Sequence, residues 1–320
     1  MDKLIKDIDE ARNISDGTLK VYETNLRNIH KAVEGDDNFN PDFLEKKDEV
    51  LKFIRDKYSK PTQRTYLSAV IVALDTRKQH KLLEIYKEEM AQLRKELDAK
   101  IKSGVKTDKQ EKNWTTLANL KRVMKGMKQD LIDNDVYRGR KMTKKVLRDL
   151  QDYTLLSLYL GDEANPPVRN ADFMMKVITN SDYKKLEGDK EFNYLVVDDK
   201  DETKPRFFSF NNYKTSARYG TKEIKVGLKL QKILKFWLEH NEGREWLLYN
   251  FADEPMTAQQ ISNRVKTLFK VTGKNITTNL IRSIYVTEKF PREASDEKAD
   301  VAHKMGHSVE TQSKVYSKKK

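Results

Sequence analysis

The sequence contains no cysteine among its 320 residues. This absence excludes disulfide bridges, thiolate metal sites and cysteine nucleophiles, and it favours an intracellular protein. No apolar run approaches the roughly 20 residues that a membrane-spanning helix needs. The opening segment MDKLIKDIDEA is charged throughout and does not resemble a cleaved signal. We therefore expect neither a membrane segment nor export.

The chain has a formal net charge of +13, and this excess is unevenly distributed. Residues 1–100 contain 20 basic and 20 acidic side chains, whereas residues 101–150 contain 14 basic and 6 acidic ones. Lysine and arginine gain free energy on polyanions by releasing condensed counterions. The composition therefore indicates a nucleic-acid partner, and the basic stretch predicts where the chain crosses a nucleic-acid backbone.

The apolar pattern predicts two domains of mainly α-helical structure. Residues 1–101 show helical periodicity with a Ser15 cap, and we expect them to form a compact helical domain. Residues 102–114 have few apolar side chains and predict a basic linker. Residues 115–320 begin and end with helical patterns, but residues 192–227 contain clustered β-formers that predict a small antiparallel sheet.

Several polar residues of the second domain are suited to phosphodiester chemistry without a metal. That chemistry needs cationic donors, a proton donor and a nucleophile. Arg169 follows the rigid turn Pro166–Pro167, with Asp172 placed to hold it, and Lys214 lies in a predicted turn between strands. Arg169 and Lys214, each taken alone, are better explained as surface side chains.

The end of the sequence contains the strongest pattern. Arg282 lies on an apolar helix in TNLIRSIYVT, where a charge needs a partner such as a phosphate or an acidic neighbour. In MGHSVETQSKVY, a Gly-His break at His307 precedes a short helix that ends in Tyr316.

Taken in order, these motifs resemble the tyrosine recombinases, or phage-type integrases. The first box of that family is similar to LLSLYLGDEANPPVRNAD, the hairpin lysine to Lys214, the second arginine box to NLIRSIYVT, and the last box to MGHSVETQSKVY. The opening TLKVYETNLRNI also resembles the family's helical core-binding domain. The PPVRNAD form looks closest to recombinases of eukaryotic mobile elements and large DNA viruses.

The resemblance implies a clamp of two domains on duplex DNA and a site-specific strand transfer without a cofactor or metal. It makes Tyr316 the nucleophile that forms a 3′-phosphotyrosine, Lys214 the donor to the leaving oxygen, and Arg169, Arg282 and His307 the groups that stabilise the reacting phosphate. It also implies dimers on one DNA site and tetramers in synapsis. Asn279 stands where the family usually has histidine, and its amide can still donate to a phosphate oxygen.

Three alternatives remain open from the sequence. A type IB topoisomerase shares this residue set, although those enzymes begin with a β-rich domain. A noncatalytic DNA-binding protein with an integrase-like fold would explain Asn279. A metal site at His303 and His307 would use their spacing of four, but Gly306 intervenes and no third ligand is evident.

Overall fold

The computed structural model describes residues 1–12, 14–139, 142–186, 191–241, 243–290 and 296–318 of the chain. The chain divides into two compact units, Met1–Ser103 and Gly104–Lys320. The sequence-based fold class is confirmed, since a helical unit is followed by an α+β unit with a small sheet.

The first unit is helical throughout its regular structure. Its elements are α1 (Asp2–Ala11), α2 (Asp16–Glu34), a 3-10 turn (Pro41–Glu45), α3 (Lys47–Lys57), α4 (Lys60–Thr76) and α5 (His80–Ser103). The predicted cap is present, because the Ser15 side chain accepts a hydrogen bond from the Thr18 amide. One apolar face of each helix enters a common core that includes Ile8, Leu26, Ile29, Ile54, Val70 and Tyr86.

The core of the second unit contains two helices with long buried stretches. The helices are α6 (Asp108–Asn113), α7 (Leu117–Asp133), α8 (Lys144–Leu160), α9 (Asn180–Lys185), α10 (Ser216–Tyr219), α11 (Leu228–His240), α12 (Ala258–Leu268), α13 (Thr278–Lys289), α14 (Asp296–Lys304) and α15 (Val309–Thr311). Every side chain from 150 to 160 on α8 is buried, as is every side chain from 280 to 287 on α13. These two helices therefore supply much of the core on which the polar residues are mounted.

Short turns of other helical types complete the second unit. They are 3-10 turns at Val136–Arg138, Asn170–Phe173 and Phe269–Thr272, and a π-helical turn at Gln312–Tyr316. A π turn is rare and often marks a functional position.

The sheet is mixed, which corrects the antiparallel sheet predicted from the sequence. Its strands are β1 (Met175–Thr179), β2 (Asn193–Val197), β3 (Pro205–Phe210) and β4 (Lys222–Lys225), in that spatial order. The pairs β2–β3 and β3–β4 are antiparallel as expected, but β1 pairs in parallel with β2. The reason is the connection, because the chain crosses over through α9 between β1 and β2 instead of turning back in a hairpin.

The stretch predicted as a linker, residues 102–114, contains regular structure. Helix α5 ends at Ser103, and α6 begins behind Thr107, whose hydroxyl accepts from the Gln110 amide while the Gln110 side chain accepts from the Thr107 amide. This capping box explains why so polar a sequence forms a helix. The role of this stretch as a DNA-crossing linker stays a prediction.

The described residues contain neither a helix suited to cross a membrane nor a cluster of three possible metal ligands. None of the helices in these ranges is both long and apolar enough to cross a bilayer. Within the same ranges, no group of three or more histidine, aspartate or glutamate side chains is arranged to hold a metal ion. His303 is exposed and His307 is buried, and the left-handed Gly306 ends the helical run between them.

Candidate active site

The end of helix α14 is the organising centre of a cationic cluster. Four consecutive carbonyl oxygens, at positions 303 to 306, accept hydrogen bonds from three cationic side chains. The Lys222 ammonium lies 3.4 Å from the oxygens of His303 and Lys304, Arg282 donates to Met305 at 3.2 Å, and Arg169 donates to Gly306 at 3.2 Å. The carboxyl end of a helix bears partial negative charge, so it favours cations at this place.

Gly306 is required at this turn for two reasons. Its φ of +71° lies in the left-handed region that side chains with a Cβ disfavour. A Cβ would also stand 3.1 Å from Nη1 of Arg169 and 3.2 Å from Nζ of Lys222. Those two cationic nitrogens therefore lie within roughly 6 Å of each other, the sum of the two distances. Cations this close repel one another, so an anion placed between them would stabilise the cluster.

Arg282 is a guanidinium buried inside the protein. Thr277 caps α13 by accepting from the Leu280 amide, and Arg282 lies one turn further on, only 1% exposed. Its Nη1 donates to the Tyr316 hydroxyl at 2.6 Å, while its Nε is buried with no hydrogen-bond partner among the described residues. Burial lowers the pKa of Arg282, and the charge of Arg169 lowers it further. The nearby Tyr316 acts in the opposite direction. One donor direction of this cation is therefore unsatisfied.

Tyr316 is held at both its ring and its backbone. Its half-buried ring stacks on His307 with centroids 4.9 Å apart and an interplanar angle of 21°. The Thr287 hydroxyl donates to the Tyr316 carbonyl at 3.2 Å and accepts from the Lys318 amide at 2.9 Å. Because Thr287 and Arg282 share helix α13, the same helix fixes the backbone and the hydroxyl of Tyr316.

His307 is neutral at physiological pH. Burial, reinforced by the nearby positive charge of Arg282, lowers the pKa of His307 to about 3. Its Nδ1 lies 3.2 Å from the Ser308 carbonyl, and since a carbonyl can only accept, we place the single ring proton on Nδ1. The buried Nε2 then has a free lone pair and no hydrogen-bond partner in the described chain.

Asp172 is a buried carboxyl that faces the cations. One of its oxygens accepts from the Arg169 amide at 3.1 Å, and the other is buried without a hydrogen-bond partner in the described part of the chain. Burial raises the pKa of Asp172, an effect opposed by the Arg169 amide and by the charges of Arg169, Lys222 and Arg282. Asp172 therefore contacts the backbone of Arg169 and partly balances its charge.

The structure does not place Lys214 and Asn279 inside this cluster. Both side chains are exposed, and neither has a side-chain hydrogen bond or ion pair with the described residues. The residues on either side of Lys214 are nevertheless anchored: Tyr213 donates to the Gly220 carbonyl, and Thr215 donates to the Gly306 carbonyl at 3.1 Å. Lys214 thus projects into solvent from a loop attached to the site, whereas Asn279 lies in the first turn of α13.

Lys222 belongs to the cluster but was not predicted from the sequence. It is 3% exposed, and its ammonium packs over the Tyr213 ring at 4.1 Å. The alternation of β4 contained the signal. Lys222 and Ile224 are buried, while Glu223 and Lys225 are exposed, so a lysine occupies an inward position of the strand. Lysine is rarely buried without a specific reason.

The chain is similar to known proteins at the level of solved structures. No family model matches the chain, and no curated protein matches it. A structure described as the XerA recombinase is 15% identical, with 97% of this chain and 91% of that chain covered and a TM-score of 0.40. A score at that level does not establish a shared fold, so the interpretation of the site rests on its own geometry.

Proposed function

We propose that the protein is a tyrosine-type DNA strand transferase that cleaves and rejoins duplex DNA through a 3′-phosphotyrosine, and that it acts as a site-specific recombinase. The observation that carries this proposal is the 2.6 Å hydrogen bond from Arg282 to the Tyr316 hydroxyl, within a cluster that also contains Arg169 and His307. This hydrogen bond holds the oxygen of Tyr316, the proposed nucleophile, beside a guanidinium that would bind the phosphate.

The arrangement supports a balanced first step. The Tyr316 oxygen attacks the phosphorus, and its proton passes to the free Nε2 of neutral His307. The imidazolium so formed, with Arg169 and Arg282, stabilises the negative charge of the pentacoordinate phosphate. Lys214 donates its proton to the departing 5′ oxygen, so one P–O bond forms while another breaks. Asn279 would add a hydrogen-bond donor, and Asp172 would support Arg169.

The buried groups without partners support this assignment. Nε of Arg282 and Nε2 of His307 are both buried without hydrogen-bond partners among the described residues. Leaving a buried polar group unsatisfied costs about 1–3 kcal/mol. A phosphate bound in this cluster would accept from the arginine donor, and its charge would raise the pKa of His307 toward its protonated form.

The first prediction tests the nucleophile. A suicide duplex containing the correct site, incubated with the protein in EDTA, should yield an adduct that survives denaturation and that protease reduces to a peptide on a 3′ end. Tyr316→Phe removes only the hydroxyl, so it should retain DNA binding and form no adduct. The measurement is the fraction of labelled DNA shifted on a denaturing gel.

Two other tyrosines of the second unit provide matched controls. Tyr285→Phe and Tyr219→Phe should both form the adduct, because neither hydroxyl contacts the Arg282 guanidinium. An adduct that persists in Tyr316→Phe, or one that forms only with Mg²⁺, would contradict the mechanism. Relaxation of supercoils at unpaired sites would indicate a topoisomerase instead of a recombinase.

Assembly on DNA follows from the same proposal. Site-specific recombination exchanges strands between two sites, so we propose a dimer on each site and a tetramer in synapsis. The suggested kinship with eukaryotic mobile elements and large DNA viruses stays a prediction.

A further inference from the structure

Lys222 is the one member of the cluster whose position nothing in the proposed reaction explains. It opens β4 with its ammonium turned inward, between the Tyr213 ring and the end of α14. Its side chain forms no ion pair with the described residues, since both its hydrogen bonds go to backbone carbonyl oxygens. A buried ammonium with only neutral partners is costly, which calls for a specific reason for its presence.

The surroundings of Lys222 are mostly positive. The charged and titratable groups that face it from the packed elements are Arg169, Asp172, Tyr213, Arg282 and His307. Burial lowers the pKa of Lys222 to about 8. The charges of Arg169 and Arg282 act in the same direction, whereas the charge of Asp172 opposes the shift. The residue therefore titrates close to the working range of most proteins.

The contacts of Lys222 end on the segment that fixes two proposed catalytic residues. Its ammonium bonds the carbonyls of His303 and Lys304, and the next two carbonyls accept from Arg282 and Arg169. His307 follows directly. A hydrogen bond from a charged donor is roughly twice as strong as one from a neutral donor, so loss of the proton would weaken the first link in this series.

We propose that Lys222, in its protonated form, is a positioning residue that holds the end of α14 and the Gly306 turn so that Arg169 and His307 meet the phosphate. The proposal rests on the proposed function above and adds an alkaline limit to it. It assigns Lys222 no contact with the reacting atoms, which leaves proton donation to Lys214.

The second prediction compares pH profiles of adduct formation at subsaturating DNA, where the profile reports the free enzyme. For a pKa of about 8, the protonated fraction falls about tenfold between pH 7 and pH 9. Arginine stays charged over this range. The ratio of the Lys222→Arg rate to the wild-type rate should therefore rise about tenfold from pH 7 to pH 9. A ratio that does not change with pH would overturn the proposal.

A matched pair of variants distinguishes an effect of the position of Lys222 from an effect of removing any positive charge. Lys222→Met and Lys225→Met remove one lysine each from the same strand, but the second lysine is exposed. Only Lys222→Met should slow adduct formation at pH 7. Its pH profile should also lack the fall in rate that wild type shows between pH 7 and pH 9. Equal effects of the two variants would reduce Lys222 to one basic residue among many.

A second readout does not depend on catalysis. In the DNA-free protein, the ring resonances of His307 should shift between pH 7 and pH 9, far above its own pKa, because the neighbouring ammonium loses its proton. The shift should vanish in Lys222→Arg. If wild type forms no adduct but this titration is seen, the proposed function fails while the placement of Lys222 stands; if the adduct forms but the titration is absent, the inference about Lys222 fails alone.

Discussion

At the scale of the residue, Gly306 meets three requirements at once: a hydrogen-bond acceptor, a left-handed backbone and space for two cations. Its carbonyl accepts from Arg169 and Thr215, its φ is left-handed, and its missing Cβ leaves room for two cations. A side chain here would disturb all three at once.

The third prediction exploits a matched pair of glycines. Gly306→Ala and Gly273→Ala introduce the same methyl group at φ values of +71° and +68°, but nothing lies within 4 Å of the Cβ at position 273. Both should lower the free energy of unfolding by about 1–2 kcal/mol, the usual cost of a left-handed residue with a Cβ. Only Gly306→Ala should also slow adduct formation, because it displaces Arg169 and Lys222. Chemical denaturation and the gel assay measure the two effects, and an equal loss of activity in both variants would contradict the role of the crowding.

Single residues were predictable from the sequence where order and spacing carry information. Arg282, His307 and Tyr316 lie in one arrangement because a buried helix and a short turn bring them together, and both patterns are local. Lys222 was not predicted, because many lysines compete with it and its burial depends on contacts with α14, about 80 residues away in the chain. The alternation of β4 indicates an inward position for Lys222, but its hydrogen bonds to the end of α14 are visible only in the structure.

At the scale of the element, helix α13 and the segment around Tyr316 behave as one piece. The Thr287 hydroxyl joins them through the Tyr316 carbonyl and the Lys318 amide. The buried Gln312 side chain does not help to hold the π turn, because its Oε1 and Nε2 both lack hydrogen-bond partners within the described chain. Thr287 therefore contributes much of the polar attachment of the turn.

The fourth prediction removes that attachment. Thr287→Val keeps the shape of the side chain but leaves a carbonyl and an amide without their partner, at a cost of about 1–3 kcal/mol in unfolding free energy. Adduct formation should fall more than DNA affinity, because Tyr316 loses its fixed position. Thr154→Val is the control, since within the described residues that buried hydroxyl bonds only the Leu150 carbonyl of its own helix. If DNA affinity and cleavage fell together in Thr287→Val, the residue would serve binding and not the placement of the nucleophile.

Elements followed from the sequence when their signal was local. The helices of the first unit lie where helical periodicity was expected, and β3 and β4 form the expected antiparallel pair. Strand β1 was missed because it is short and mostly half-buried, and because it pairs with β2 only after the crossover through α9. Such a nonlocal parallel pairing leaves little trace in neighbouring residues.

At the scale of the whole molecule, charge divides the chain almost as its compact units do. Residues 1–100 are neutral overall, so residues 101–320 carry the entire excess of +13. Among the exposed basic residues of the second unit are Lys109, Lys112, Arg122, Lys125 and Lys128. Electrostatic attraction to DNA should therefore come chiefly from the second unit.

The fifth prediction concerns this division. A fragment of residues 104–320, once circular dichroism shows it to be folded, should bind duplex DNA weakly and lose affinity steeply between about 50 and 200 mM salt. The fragment 1–103 should show a much shallower salt dependence, and it should add affinity and selectivity only within the full chain. Fluorescence anisotropy over a salt series measures both slopes. A steep slope for fragment 1–103, or full affinity and selectivity for fragment 104–320, would show that the division is wrong.

The Gly306 carbonyl also links catalysis to the order of folding. It accepts from Arg169, 137 positions earlier, and from Thr215, 91 positions earlier. Closing loops of that length is a late and entropically demanding event for a chain. A half-folded molecule that already exposes basic surface can thus adhere to DNA but lacks an assembled phosphate receptor. In the proposed enzyme, an incompletely folded copy would therefore lack the receptor on which strand cleavage depends.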